Sequence, residues 1–381
     1  MKFPFRPNEK KDTSPKSRYE RLPRVCLVLF ALAAISGLLT LLFRLIPGFA
    51  DFFNQYVSQP LRFLFAIVTS VLPISLAELL LLSSPVLLTL LIVYAVRRHT
   101  DSLRAIGVYV VKLASVVCVF AILLVWMFGA GYYGKTLSDA SKLDLDRRDV
   151  SAEDLYQTAL HLAEKVAKEA ERVEFLDKGF SVMPYSLKEM NQKLLDAYDS
   201  FCEQHPFIAS FDSHIKPVMH SEAMSYTHIT GVYSYFTGEA NLNVNFPDYT
   251  LPFTAAHELA HQRGIAREDE ANFIAYLVCL ESSDPYIRYS GYLNLYEYVA
   301  SALYRANPDL YFEVRDTLPS QVRYELIAYS NFFDQYRDSV ASDVSGAVND
   351  AYLKLQGTEG TRSYGLVVDL AVAYDRKLAG K

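Results

Sequence analysis

The sequence predicts an α-helical membrane region followed by a mainly helical α+β domain with a small β-sheet. Three observations predict this: three long uncharged runs near the N-terminus, a change in charge after the third run, and helical spacing of apolar residues beyond it. The runs cover 25–43, 79–96 and 113–134, with 19, 18 and 22 residues, and a helix needs roughly 20 residues to cross a bilayer. We therefore predict about three transmembrane helices, near 25–43, 74–96 and 113–134, with the lipid bilayer as a partner.

Charge divides the chain at the end of the third run. Residues 1–134 contain 14 Lys and Arg against 6 Asp and Glu, a balance of +8, whereas 135–381 contain 23 against 37, a balance of −14. An acidic domain repels phosphate groups, so we predict that the chain does not bind nucleic acid. Four cysteines are too few for a disulfide framework, and the sequence leaves open whether Cys202 and Cys279 pair.

Basic residues also predict the orientation in the membrane. The tail 1–24 is basic, as is the connection between the second and third predicted helices, and cytoplasmic segments carry an excess of Lys and Arg. We expect a multi-pass protein of the cell membrane with a cytoplasmic tail over 1–24, a membrane region over 25–134 and an extracytoplasmic domain over 135–381. The apolar stretch 63–77 could add a re-entrant or kinked element before the second helix.

Most of the predicted outer domain has helical periodicity. Apolar residues recur at helical spacing over 152–175, 187–201 and 273–280. Residues 231–249 are the exception, because apolar and polar residues alternate there around a Thr-Gly turn, as in a β-hairpin. We expect a small sheet directly before a helix, and we expect its strand 241–245 to pair with an extended peptide.

The helix predicted after the hairpin contains the pentapeptide HELAH at 257–261. Residues four apart lie on one helical face, so His257 and His261 can reach one metal ion, while Glu258 can reach a water bound to that ion. This spacing is typical of zinc hydrolases. We therefore predict one Zn²⁺ per chain, with Glu258 as the catalytic residue.

Catalytic zinc normally has three protein ligands. Gly264 can end the first helix, and Glu268 can begin a second helix that brings a carboxylate to the metal. Glu268 and Asn272 are four residues apart, so one could bind the metal while the other hydrogen-bonds a ligand histidine. This spacing resembles the Glu-x-x-x-Asp/Asn pair of the gluzincin metallopeptidases, which implies Glu268 as the third ligand, with Glu270 as the alternative and Asn272 as the residue that orients a histidine.

The residues around this motif resemble those of one family. The segments AAHELAHQRG at 255–264 and REDEANF at 267–273 are similar to the bacterial membrane family known as domain of unknown function 3810. Shorter matches that support this resemblance occur at 72–75, 235–240 and 363–365. The resemblance covers most of the chain from about residue 50 and implies a membrane-anchored, gluzincin-like zinc metallopeptidase.

The expected reaction is hydrolysis of peptide bonds in a peptide or protein substrate. Zinc lowers the pKa of its bound water to roughly 7 and polarises a carbonyl, and Glu258 would accept the proton of that water. An oxyanion also needs a donor, for which Tyr364, His228 and Arg362 are the candidates that the sequence offers.

Two other functions remain open at the level of sequence. The same fold could serve as a catalytically inactive membrane sensor or scaffold, in which the zinc is structural or absent. A zinc amidase that acts on cell-wall peptides would use the same residues on a different amide. The sequence predicts neither the cleavage specificity nor the oligomeric state.

Overall fold

The computed structural model describes residues 22–98, 102–177 and 179–380, so the predicted tail 1–24 lies almost wholly outside the described residues. The described chain is mainly helical with one small sheet. Its N-terminal helices are α1 (Arg24–Leu45), α2 (Pro47–Phe53), α3 (Gln59–Ser70), α4 (Leu76–Arg98) and α5 (Leu103–Met127). Its remaining elements are α6 (Ala152–Ala170), α7 (Leu187–Gln204), β1 (Ile215–Pro217), α8 (Ser221–Ser225), β2 (Gly231–Ser234), β3 (Glu239–Leu242), α9 (Leu251–Gln262), α10 (Glu268–Glu281), α11 (Pro285–Ala306), α12 (Pro308–Thr317), α13 (Ser320–Asp334), α14 (Val340–Leu355) and α15 (Val367–Leu378).

Three of these helices, α1, α4 and α5, are long and apolar enough to cross a membrane. The third begins ten residues earlier than the predicted run 113–134, because Ser102 caps its first turn by accepting a hydrogen bond from the Ala105 amide at 3.1 Å. It ends at Met127, ahead of a short 3₁₀ turn, Gly129–Tyr132. The uncharged run therefore includes a turn that lies beyond the helix.

The segment between α1 and α4 is bonded to the rest of the protein through polar side chains, whereas several of its apolar side chains are exposed. Asn54 donates a hydrogen bond to the Gly264 carbonyl at 3.1 Å. Arg62, on α3, is fully buried and donates to the Met127 carbonyl at 2.7 Å and to Asn54 Oδ1 at 2.9 Å. Residues 46–75 thus connect the ends of the long helices to the segment that follows α9.

The sheet has three strands in the order β1-β3-β2, with β1 parallel and β2 antiparallel to β3. The predicted hairpin is present as β2 and β3. Because β3 lies in the middle, its backbone is paired on both sides and cannot pair with a peptide, so the expectation for strand 241–245 is wrong. Among the described strands, β2 and β1 lie at the edges.

The main core after α5 lies between the sheet and the helices α6, α7, α9, α10, α11 and α15. Every residue of α9 is buried, including its polar residues. In α10, the residues from Glu268 to Cys279 are buried as well. All four cysteines, including Cys202 and Cys279, are free thiols.

Candidate metal centre

Two consecutive buried helices, α9 and α10, form the candidate site. Pro252 lies in the first turn of α9, where a backbone N–H would have no hydrogen-bond partner within the helix. The helix ends at Gln262, and Gly264 has a φ of +97°, a left-handed conformation that favours glycine. Arg267 is extended, so α10 begins at Glu268. This turn places the first residue of α10 beside the last turn of α9.

The structure brings His257, His261 and Glu268 together. Both imidazole Nε2 atoms lie 3.3 Å from Glu268 Oε2, and the three candidate ligand atoms lie within 4.8 Å of one another. At the usual zinc–ligand distances, neighbouring ligand atoms of a tetrahedral site are about 3.3 Å apart. Glu268 Oε2 is buried, and the two histidine Nε2 atoms are the polar atoms that it faces. Two imidazole nitrogens and a carboxylate oxygen that converge in this way fit a divalent metal such as zinc.

Mutual electrostatics hold Glu268 and His261 in charged forms. Burial opposes ionisation of Glu268, but the two histidines outweigh it and keep the pKa of this carboxyl well below its usual value. Burial lowers the pKa of His261, yet the Glu268 carboxylate outweighs this and raises it to about 9. A proton on the imidazole thus balances the buried carboxylate, and a bound cation would supply that positive charge instead.

Glu258 lies next to this group and under strand β2. Its carboxyl is buried, and Oε2 has no hydrogen-bond partner in the described structure. A Cβ at Gly231 would lie 2.6 Å from Glu258 Oε1, so glycine allows the strand to approach the side chain closely. Burial raises the pKa of Glu258 above its ordinary value. The side chain is confined and has one oxygen available to accept a proton.

The two histidines of the candidate site are oriented differently from the prediction. His261 Nδ1 lies 2.7 Å from the Ile265 carbonyl, and a hydrogen bond there directs Nε2 towards Glu268. His257 Nδ1 is buried without a partner in the described residues. Asn272, which we expected to hydrogen-bond a ligand histidine, donates to the Tyr298 hydroxyl at 3.5 Å. The turn after α9 places a backbone carbonyl in the orienting role expected of Asn272.

The alternative third ligand, Glu270, faces different partners. Its Oε1 accepts hydrogen bonds from the Leu137 amide at 2.9 Å and from Arg267 Nη1 at 3.1 Å. These contacts attach α10 to the segment after α5. The geometry therefore favours Glu268 over Glu270 as the third ligand.

Aromatic side chains from distant parts of the chain lie beside the site. The Phe128 ring is 5.7 Å from the His261 ring, and the Tyr132 and Tyr352 hydroxyls are 3.3 Å apart. Phe128 and Tyr132 follow α5, whereas Tyr352 lies on α14 and interacts electrostatically with Glu268. Sequence reasoning missed these residues, because no local spacing connects them to the HELAH motif.

Two of the candidate oxyanion donors, His228 and Arg362, show no contact with the candidate metal ligands within the described residues. His228 Nε2 lies 2.7 Å from the Tyr336 carbonyl and packs on Phe333. Arg362 is exposed and lines an open groove of about 660 Å³ near the end of α14. The side chain of Tyr364 lies outside the described part of the structure. By position, Tyr352 is the better candidate.

Comparison with known families identifies the class of this protein. Residues 49–372 match the family described as "Protein of unknown function (DUF3810)". Because this match covers most of the chain, the protein belongs to that family, as the sequence resemblance indicated. No curated protein and no solved structure matches the chain.

Proposed function

We propose that the protein is a membrane-anchored, gluzincin-like zinc metallopeptidase that hydrolyses peptide bonds. The observation that carries this proposal is the convergence of His257, His261 and Glu268 at 3.3 Å contacts beside the buried carboxyl of Glu258. A structural zinc site is normally closed by four protein ligands, whereas a catalytic site has three and keeps a position for water. A three-ligand group next to a buried carboxyl fits the second arrangement.

The residues of the site have distinct roles in this proposal. Zinc bound by the two histidines and Glu268 would acidify a water and polarise the substrate carbonyl. Glu258, confined under β2, accepts the water proton at its unpartnered Oε2 and later delivers it to the leaving amine. Burial raises the pKa of the Tyr352 phenol, so it stays protonated at neutral pH and can donate a hydrogen bond to the oxyanion.

The position of β2 supports an extended peptide as the substrate. This strand lies at an edge of the sheet, directly over Glu258. The Val232 side chain on the same strand is 44% exposed. An edge strand can pair with an extended peptide through main-chain hydrogen bonds, which would bring a scissile bond close to Glu258. In this proposal β2 takes the role that we first expected of strand 241–245.

The test measures zinc content and peptide hydrolysis on the full chain in lipid nanodiscs. We expect about one zinc per chain, as in the composition of known catalytic sites. Glu258→Gln should keep the zinc and lose hydrolysis, whereas His261→Ala should lose both. His214→Ala is the matched control, because His214 is exposed and outside the site, and it should change neither quantity.

The same experiment separates the alternatives. An inactive sensor or scaffold would keep its function in the Glu258→Gln variant and would show no hydrolysis in the wild type. A zinc amidase would lose activity in that variant but would cleave cell-wall peptides rather than casein. A folded wild-type chain that takes up no zinc would contradict the proposal.

A further inference from the structure

Helix α14 has its apolar face turned outwards. Four large apolar side chains at intervals of four or seven residues are between 60% and 76% exposed: Val340, Val344, Val348 and Leu355. Ala347 and Ala351 lie exposed on the same stripe. The opposite side of the helix, which is half-buried or buried, consists mostly of polar residues: Ser342, Ser345, Asn349, Tyr352 and Leu353. A helix on the water-exposed surface of a protein has the reverse pattern.

The C-terminal end of α14 lies at the ends of two helices that could span a membrane. Arg44, next to the last residue of α1, donates a hydrogen bond to the Leu355 carbonyl at 3.2 Å and another to the Tyr133 hydroxyl at 3.1 Å. Leu353 packs with Phe128 and Tyr132, directly after α5. The apolar stripe of α14 therefore begins where the apolar surfaces of α1 and α5 end.

The N-terminal end of α14 contacts a segment that binds α4. Tyr336 precedes α14 by four residues and packs edge-on against Tyr226 at 5.0 Å. Shortly before Tyr226 in the chain, the amides of Met219 and His220 donate hydrogen bonds to the Glu78 carboxylate at 2.9 and 3.0 Å. Glu78 lies in the first turn of α4. The two ends of α14 are thus connected to the C-terminal ends of α1 and α5 and to the N-terminal end of α4. These three helix ends lie on the same side of the long helices.

We propose that α14 lies in the membrane interface with its apolar stripe among the lipids. An interfacial amphipathic helix inserts its apolar face about 5–10 Å into the boundary between headgroups and acyl chains. The charged residues of α14 are Asp343, Asp350 and Lys354, and the last two pair with each other at 2.7 Å. Because the helix has no excess of basic residues, the contact rests on apolar area, and neutral phospholipids suffice for it.

This contact has a consequence that rests on the proposed function. The polar side of α14 carries Tyr352, whose hydroxyl lies 3.3 Å from that of Tyr132, and the Tyr132 ring packs on Phe128, which contacts His261. A bilayer that holds the outer face of α14 would keep its inner face over the metal centre. Substrates would then approach the site along the membrane surface, which favours segments of membrane-attached peptides and proteins.

Tryptophan fluorescence tests the lipid contact independently of zinc and hydrolysis. The chain contains one tryptophan, Trp126, so the background variant is Trp126→Phe in nanodiscs of neutral phosphatidylcholine. Val344→Trp is the probe, and Val348→Trp on the same stripe is the second probe should the first not fold. Lipids brominated near the headgroup should quench the probe, and aqueous acrylamide should quench it weakly.

Leu176→Trp is the matched control, because Leu176 is 59% exposed and Val344 is 60% exposed. Phe175, in the same loop as Leu176, packs on Tyr289, beyond the end of α10 that is farther from Glu268. Helix α10 has 14 residues, so that end is about 20 Å from Glu268. This variant should be quenched by acrylamide and unaffected by brominated lipid.

Two results would overturn the inference. In the first, acrylamide quenches Val344→Trp as strongly as Leu176→Trp, and brominated lipid quenches neither. In the second, Val344→Trp is shielded only in nanodiscs that contain two chains, which would assign the stripe to contact between copies. Loss of zinc or of hydrolysis would leave the fluorescence result unchanged, so the two proposals can fail separately.

Discussion

Gly231 is the residue at which β2 comes closest to the side chain of Glu258. A Cβ there would lie 2.6 Å from Glu258 Oε1 and 2.7 Å from its Cγ. Glu258 is buried and has little room to move. We therefore expect Gly231→Ala to displace the Glu258 carboxyl and to lower hydrolysis at least tenfold, about 1.4 kcal/mol in the barrier, while zinc content stays unchanged.

The control for this change is Gly346→Ala. Gly346 lies within α14, where an added Cβ would meet nothing within 4 Å. Alanine in a helix interior is more stable than glycine by roughly 0.5–1 kcal/mol, so thermal unfolding should shift slightly upwards and hydrolysis should be unaffected. Full activity in Gly231→Ala would show that Glu258 is not confined in the way we describe.

Glu268 and Glu270 differ in what their carboxylates contact, although they are two residues apart. Glu268→Gln should reduce zinc content strongly, because Glu268 Oε2 lies 3.3 Å from both histidines. Glu270→Gln should keep the zinc and lower the unfolding temperature, since it weakens the contacts with Leu137 and Arg267. Elemental analysis and thermal unfolding measure the two effects. The reverse result would assign the metal to Glu270.

The site residues close in sequence could be predicted, and those brought in by the fold could not. HELAH and the carboxylates of 268–270 lie within one stretch, so their spacing predicts that His257, His261 and Glu268 converge, as they do in the structure. The Ile265 carbonyl has no signal in side-chain patterns because any residue supplies it. Tyr352 is more than ninety positions from the motif, and it contacts Tyr132 only because α14 lies beside the end of α5.

At the scale of elements, a buried ion pair joins the sheet to the start of α4. Lys216 Nζ on β1 lies 2.6 Å from Glu239 Oε1 on β3. The same carboxylate accepts hydrogen bonds from the Leu76 and Ala77 amides at 2.9 and 2.8 Å, where the dipole of α4 favours negative charge. Neither the alternation of the hairpin nor the apolar run of α4 indicates this connection.

Removing the carboxylate should therefore destabilise the protein strongly. Glu239→Gln leaves Lys216 buried without its counter-charge, and breaking a buried pair in this way costs about 3–5 kcal/mol. Asp334→Asn is the control, because Asp334 and Arg337 form an exposed pair that is worth at most about 1 kcal/mol. Thermal unfolding of the full chain in nanodiscs measures both. Equal shifts in the two variants would contradict a stabilising role for the buried pair.

The sheet shows which elements a sequence pattern can predict. The β2–β3 hairpin follows from alternation around Thr237-Gly238, and Gly238 has the positive φ of +74° that the turn requires. Strand β1 has three residues, Ile215–Pro217, too few for an alternating pattern. Its parallel pairing with β3 depends on the fold rather than on local sequence.

At the scale of the whole molecule, the segment between α1 and α4 combines an apolar composition with polar contacts to the part of the chain after α5. Its apolar residues over 63–77 resemble a membrane segment because composition alone does not distinguish lipid contact from protein contact. In the structure, Phe63 packs on Phe211 at 5.3 Å, and Arg62 and Asn54 bond the turn after α9. The side chains of Leu64, Val68 and Val71 are 54%, 61% and 81% exposed, so the expected re-entrant or kinked membrane element stays a prediction. The part of the protein after α5 therefore makes contacts with residues from before α4.

This arrangement predicts that residues 135–381 will not fold stably alone. Without 46–78, the Gly264 carbonyl loses Asn54, the amides of Met219 and His220 lose Glu78, and Lys216 loses two backbone acceptors. Each buried polar group left without a partner costs about 1–3 kcal/mol, and a domain's total stability is only about 5–15 kcal/mol. We expect the truncated chain to lack the cooperative thermal transition of the full chain, measured by near-UV circular dichroism. Joining 46–78 ahead of 135–381 through a flexible linker should restore part of that transition, whereas cooperative unfolding of 135–381 alone at the full-chain temperature would show that these contacts contribute little.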